Sequence, residues 1–144
     1  MSSDAIELSR TFPAPVAQVF AAWSDPLLLA RWAWGSIGVD ARAQVDFRVG
    51  GGFRVTTARP DGARWAYIGA YTAIEPLRRI EHDVRWDAPM GYESEVERVR
   101  VEFHAEPAGT RVVFTHTGVP TESARAEHAR GWADTLDALA RVLA

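Results

Sequence analysis

A chain of 144 residues, 47% apolar and 24% charged, is long enough to bury its own core and has a globular balance, which excludes disordered, collagen-like and membrane-spanning classes. The net charge of −3, with acids and bases interspersed, excludes the basic footprint of a nucleic-acid binder, and the 16 basic residues, all Arg, exclude Schiff-base chemistry on a lysine. With no cysteine there is no thiol nucleophile, iron–sulfur cluster, cysteine zinc site or disulfide-stapled scaffold. The expectation is one domain over residues 1–144, cytoplasmic, with no nucleic-acid partner and no membrane span, because residues 1–5 lack the basic start and apolar run of a signal peptide.

Ile6, Leu8 and Phe12 alternate on one face of a first strand, which Pro13 and Pro15 stop. Arg10 shares that parity and so points a charge inward, where it needs a carboxylate partner or a ligand anion. Val16, Val19, Phe20 and Trp23 recur at helical spacing, and Ser24-Asp25-Pro26 reads as a cap followed by a proline at a new first turn. Two short helices therefore follow, the second running through Leu27, Leu28 and Leu29 toward Trp32, with its exit at Gly35.

Strand signals then dominate. Residues 45–49 and 53–56 flank Gly50-Gly51-Gly52, read as a hairpin turn, and Pro60-Asp61-Gly62 makes the next turn of an antiparallel meander. One strand puts Trp65, Tyr67, Gly69 and Tyr71 on a single face and ends at Glu75-Pro76-Leu77, and its successor groups Ile80, His82, Val84 and Trp86. Residues 95–104 set Val99, Val101 and Phe103 against Arg98, Arg100, Glu102 and His104 on the outer side. Pro107-Ala108-Gly109 turns the chain into Val112, Phe114 and His116. Thr121 then caps a long helix, with Glu122 near its positive end, that runs almost to the last residue. Steps of three and four from Trp132 pick out Ala124, His128, Thr135, Leu136, Leu139 and Val142, with Arg130–Asp134 and Asp137–Arg141 as pairs on the opposite side. These elements make an α+β helix-grip, a curved antiparallel sheet wrapped around the long C-terminal helix.

Several stretches carry a resemblance: Ser9-Arg10-Thr11-Phe12-Pro13-Ala14-Pro15 with Val19-Phe20, Trp23-Ser24-Asp25-Pro26, Trp32, and Asp46-Phe47-Arg48-Val49-Gly50-Gly51. Further on come Asp61-Gly62, Gly69-Ala70-Tyr71-Thr72-Ala73-Ile74-Glu75-Pro76, Gly109-Thr110, and His128-Ala129-Arg130-Gly131-Trp132 with Leu136 and Leu139. In order and spacing, over nearly the whole chain, these resemble the homologues of the heat-shock-protein-90 ATPase activator, within the START-like (SRPBCC) superfamily that includes polyketide cyclases and lipid-transfer domains. The resemblance implies the helix-grip fold. It leaves activity open among chaperone cofactors, small-molecule binders, cyclases and self-sacrifice resistance proteins.

A curved sheet gripping one helix encloses more volume than that helix's side chains fill, so a cavity is expected. Parity assigns its wall to Trp65, Tyr67 and Tyr71, His82 and Trp86, Val101 and Phe103, and Phe114 and His116, all facing one space. His128 and Trp132 look down from the helix, and Trp32, Trp34 and Phe53 complete the ring. Trp132 is expected to be a core anchor that borders the cavity, and Gly131 either to let the helix approach the sheet or to leave room above it. No H-x-x-x-H spacing and no evident orienting carboxylate accompany His82, His116 and His128, so no metal is assigned, and neutral hydrogen-bonded imidazoles are expected. General acid–base work by one of them, beside Tyr67 or Tyr71, is the catalytic alternative. Nucleotide loops, a G-x-S-x-G elbow and paired-histidine zinc motifs are absent from the sequence. The first functional expectation is a monomer or homodimer that binds a small hydrophobic or aromatic molecule without a cofactor, in stress response or resistance. The alternatives are a polyketide cyclase- or dehydratase-like enzyme using the same cavity and, third, a chaperone-interacting module.

Overall fold

The computed structural model describes residues 5–87 and 96–143. The chain runs β1 (Ile6–Phe12), α1 (Val16–Ser24), α2 (Pro26–Leu29), β2 (Arg42–Val45), β3 (Gly52–Ala58), β4 (Arg64–Glu75), β5 (Arg79–Asp87), β6 (Glu97–Glu106), β7 (Gly109–Thr117) and α3 (Glu122–Leu143). A short 3-10 turn, Gly35–Ile37, lies between α2 and β2. The seven strands form one antiparallel sheet in the order β1-β7-β6-β5-β4-β3-β2, so β2 to β7 are a meander and β1 returns to the far edge beside β7. This is the expected helix-grip. Among the described residues no helix is long and apolar enough to cross a membrane.

Local chemistry explains the element boundaries. Asp25 caps α2 by accepting from the Leu27 backbone N–H at 2.9 Å, with Pro26 at the first helical position. That helix stops at Leu29, earlier than its leucine run implies, and continues as turns to the 3-10 segment. Thr121 caps α3 through Oγ1, which accepts from the Ala124 N–H at 3.1 Å, and the helix is continuous through Gly131. The expected strand start at Glu95 lies outside the described residues, as does Ala144.

The strand expected over residues 45–49 is displaced. β2 ends at Val45, and two tight turns, Arg48 N–H to Asp46 O and Gly51 N–H to Arg48 O, take the chain out of the sheet. The Gly50 N–H donates to Tyr71 O and the Tyr71 N–H to Gly51 O, so the glycines lie against β4 rather than forming a simple hairpin turn. Gly50, at φ 86°, takes up the left-handed conformation that this path requires. Phe47 thereby leaves the strand and packs edge-on against Phe20 and Tyr71.

The two helical regions cover different parts of the concave face. Phe20 and Trp23 of α1 stack edge-on to Phe103, with centroids 5.1 and 5.3 Å apart, and close one end of the core. The α3 side chains Trp132, Leu136 and Leu139 are buried in the same cluster. Arg10 does not enter the core. It forms an ion pair with Asp137 of α3 and leaves its side chain 34% exposed, which is the carboxylate-partner reading of its parity. Asp134 and Asp137, expected to pair with Arg130 and Arg141 along the helix, turn instead to Ser36 and to Arg10.

Candidate functional site

Two spaces lie under α3 where the sequence pointed to one. The outer chamber, about 200 Å³, opens beside the helix and is ringed by Trp34, Trp65, Tyr67, Trp86, His128 and Trp132, with Gly131 on its helical side. The inner chamber, about 30 Å³, is lined by Trp32, Phe53, Tyr71, His82 and Phe114, with Trp23, Leu29, Ile80 and Val84 behind them. Tyr67 and Trp132 border both and form the partition, their ring centroids 6.4 Å apart. The single enclosed space expected from parity is corrected accordingly. Val101, Phe103 and His116 line neither chamber: Val101 is wholly buried, Phe103 lies beneath α1, and His116 is taken up by hydrogen bonds.

Of the two readings of Gly131, the structure shows the one that leaves room. A Cβ built there meets no atom within 4 Å, so the glycine does not serve close packing and instead leaves the chamber wall open. The mouth is tied across by Asp134, whose Oδ2 accepts from the Ser36 N–H at 2.8 Å and from the Ser36 hydroxyl at 2.9 Å. Gly35 permits this, at φ 58° and with no room for a side chain against Asp134. Arg59 stacks over Trp65 at 4.2 Å and covers the strand side of the rim. Trp34 is buried, and its Nε1–H has no acceptor among the described residues, a situation that costs about 1–3 kcal/mol.

Behind the partition lies a buried polar network that the sequence reading missed. Glu97, fully buried, accepts at Oε1 from Trp86 Nε1 at 2.9 Å and from His116 Nε2 at 2.6 Å. Trp132 Nε1 donates to His116 Nδ1 at 2.9 Å, and His128 places Nε2 3.6 Å from the same Glu97 oxygen while its Nδ1 lies 3.0 Å from Ala124 O. Burial works to raise the Glu97 pKa, but hydrogen bonds from His116, His128 and Trp86 outweigh it and bring the carboxyl down to about 2. Burial holds His116 below the usual imidazole range in spite of the carboxylate beside it. Glu97 is the orienting carboxylate that seemed absent. It has the parity of Val99, Val101 and Phe103, and extending their period-two pattern by one step would have found it.

By residue type, Glu97, His116 and His128 could ligate a metal, since their ligand atoms lie within 4.8 Å of one another. The hydrogen bonds argue against it. An indole N–H only donates, so His116 Nδ1 is the bare nitrogen and its Nε2 carries the proton given to Glu97. A metal at Nε2 would move that proton to Nδ1 and leave two N–H groups facing each other, with His116 and Glu97 already in contact.

The inner chamber has different chemistry. His82 holds Nδ1 2.8 Å from Asp83 O; a carbonyl only accepts, so the proton sits on Nδ1. Burial, the largest influence, brings the His82 pKa down to about 4, so the ring is neutral near pH 7 with a lone pair on Nε2. Tyr67 and Tyr71, 7% and 4% exposed, are pushed up by burial and stay phenolic.

Comparison with known structures gives several whole-chain likenesses. Protein CV1439 from Chromobacterium violaceum is similar at 25% identity and TM-score 0.82, over 97% of this chain and 97% of its own. An uncharacterized protein from Rhizobium leguminosarum is similar at 31% identity and TM-score 0.80, over 96% of this chain and 93% of its own. DynU16, a protein of the dynemicin biosynthetic locus, has TM-score 0.78 at 21% identity, and the match covers 99% of this chain but 48% of DynU16; it shows the fold alone. Among curated proteins no match was found. With the fold, the closing helix and the spacing of the motifs in agreement, and with the model of the Activator of Hsp90 ATPase homolog 1-like protein family matching residues 13–144, the chain belongs to that family.

Proposed function

We propose that this protein binds a small hydrophobic, ring-bearing molecule in the space between the sheet and α3. The observation that carries the reading is the outer chamber, about 200 Å³ of unfilled volume walled by indole and phenol rings beside a glycine that leaves the helix side open. Protein interiors hold few voids larger than a water, and ring edges and faces offer stacking contacts to a flat ligand. The volume falls short of the roughly 300–1,000 Å³ of drug-sized sites, which favours a bicyclic ligand or the ring end of a longer one.

Catalysis in the same cavity, as a cyclase or dehydratase, is the second reading. The presence of DynU16, which shares the fold, in the dynemicin biosynthetic locus supports it. Binding stands first because the buried carboxylate–imidazole pair, Glu97 and His116, lines neither chamber.

Titration of the purified protein with bicyclic aromatics, followed by tryptophan fluorescence and thermal shift, tests the proposal. Saturable binding is expected in the wild type, with about 2.7 kcal/mol of stabilisation at a hundredfold excess over Kd. Gly131→Trp, which places a ring in the mouth, should abolish binding while the fold is retained. Binding unaffected by Gly131→Trp, or no saturable binding by the wild type, overturns the proposal, and the second result turns attention to the chaperone-interacting module.

A further inference from the structure

The inner chamber is dominated by apolar walls, yet three polar side chains border it whose hydrogen-bonding capacity the protein leaves unused. Neither the Tyr67 nor the Tyr71 hydroxyl makes a hydrogen bond among the described residues, and His82 uses only Nδ1. Both tyrosines are more than nine-tenths buried. Two phenol hydroxyls and an imidazole nitrogen with no protein partner among the described residues, all lining one small space, point to a common occupant. Their contrast with the neighbouring network is sharp, since the indole N–H groups of Trp32, Trp86 and Trp132 all have protein acceptors.

Size and charge define that occupant. About 30 Å³ holds one water or one oxygen-bearing substituent and excludes a ring. No arginine lines the chamber, and the burial that raises both tyrosine pKa values and lowers that of His82 opposes charge of either sign. A carboxylate or phosphate therefore does not fit, whereas a neutral oxygen does. Phenol hydroxyls donate to it, and a bare imidazole nitrogen accepts from it if it carries hydrogen. Tyr67 borders both chambers and its hydroxyl makes no hydrogen bond among the described residues, so that hydroxyl can meet an oxygen arriving from the outer side.

We infer that the inner chamber is an oxygen-recognition subsite, and that the aromatic ligand of the outer chamber carries a neutral hydroxyl received by Tyr67, Tyr71 and His82. The inference rests on the binding reading above and narrows its ligand to a phenol or hydroxylated aromatic. It also assigns these three residues a specificity role that aromatic packing alone would not give them.

The experiment compares three probes of one ring system, naphthalene, β-naphthol and the methyl ether of β-naphthol, against the wild type, Tyr67→Phe and Tyr71→Phe. In the wild type β-naphthol should bind tightest, and the ether, which accepts but cannot donate, should fall between it and naphthalene. Each Tyr→Phe change should lower the β-naphthol to naphthalene affinity ratio about tenfold, equivalent to 1.4 kcal/mol. Because each variant removes only a hydroxyl that makes no hydrogen bond among the described residues, folding is retained, and circular dichroism verifies it. A ratio that stays constant across all three proteins overturns the subsite, with ring binding intact, and identifies the chamber as a water site. Failure of every probe to bind the wild type overturns the binding reading itself.

Discussion

The two sides of Trp132 follow opposite rules. Toward β7 its indole nitrogen enters a chain through His116 to Glu97 and Trp86 in which every indole and imidazole nitrogen named has a partner. Toward β4 the same ring faces unfilled volume, across from a tyrosine whose hydroxyl bonds nothing among the described residues. One residue thus divides a hydrogen-bonded polar core, in which Glu97 Oε2 alone of the network atoms lacks a partner among the described residues, from an unfinished apolar one. The difference teaches where to look for function: the hydrogen-bonded side ties β5, β6, β7 and α3 together, and the volume left unfilled lies on the other side.

The largest expected effect breaks the hydrogen-bonded side. Glu97→Leu leaves the Trp86 and His116 donors buried without an acceptor and should lower stability by about 3–5 kcal/mol, read as a shift of the urea midpoint. A change below about 1 kcal/mol would show that the network is incidental to the fold.

Acid should loosen the core in two stages. His82 and His116 are depressed below their ordinary 6.5, His82 to about 4, so between those pH values the unfolded chain binds more protons than the folded one. Stability is therefore complete above pH 6.5 and falls as pH drops toward 4. Glu97, at about 2 against an ordinary 4.5, adds a second loss that begins below 4.5 and continues to about pH 2. Urea midpoints at pH 7.5, 5 and 3.5 check the order, and stability that rises on acidification would reverse the assignment of buried neutral histidines.

The smallest effect belongs to the open side. Tyr67→Phe should leave the unfolding midpoint within about 0.5 kcal/mol of wild type, because no protein hydrogen bond is lost. A loss of more than about 1 kcal/mol would mean that the hydroxyl has a structural partner and would remove the contrast between the two sides.

Much of this architecture is legible in the sequence because alternation and helical spacing are local signals. The inward parity of β6 and β7, the Asp25 cap and the helix through Gly131 all follow from residues a few positions apart. What escapes are the choices made between distant elements. Asp134 has Arg130 at an ideal helical spacing, yet tertiary packing gives it Ser36, 98 positions away. Phe47 has strand-like neighbours but leaves the sheet because Gly50 and Gly51 bond to Tyr71 across β4. The partition of the cavity is illegible for the same reason: whether Tyr67 meets Trp132 depends on how far α3 stands from the sheet, which no local pattern encodes. Glu97 is the exception, since its parity was readable and only the habit of counting carboxylates as surface groups concealed it.

The tie between the 3-10 turn and α3 has a kinetic consequence. Both hydrogen bonds from Ser36 end on a single oxygen, Asp134 Oδ2, so they form and break as one event rather than as two. The segment they hold carries Trp34 and Ile37 on the chamber wall and belongs to neither the sheet nor the long helix, although Trp34 is buried against Tyr67 and Trp86. On the proposed binding, a local opening of the mouth would have to break this one-acceptor tie and the Trp34 contacts with Tyr67 and Trp86, while the strand ladder stays paired.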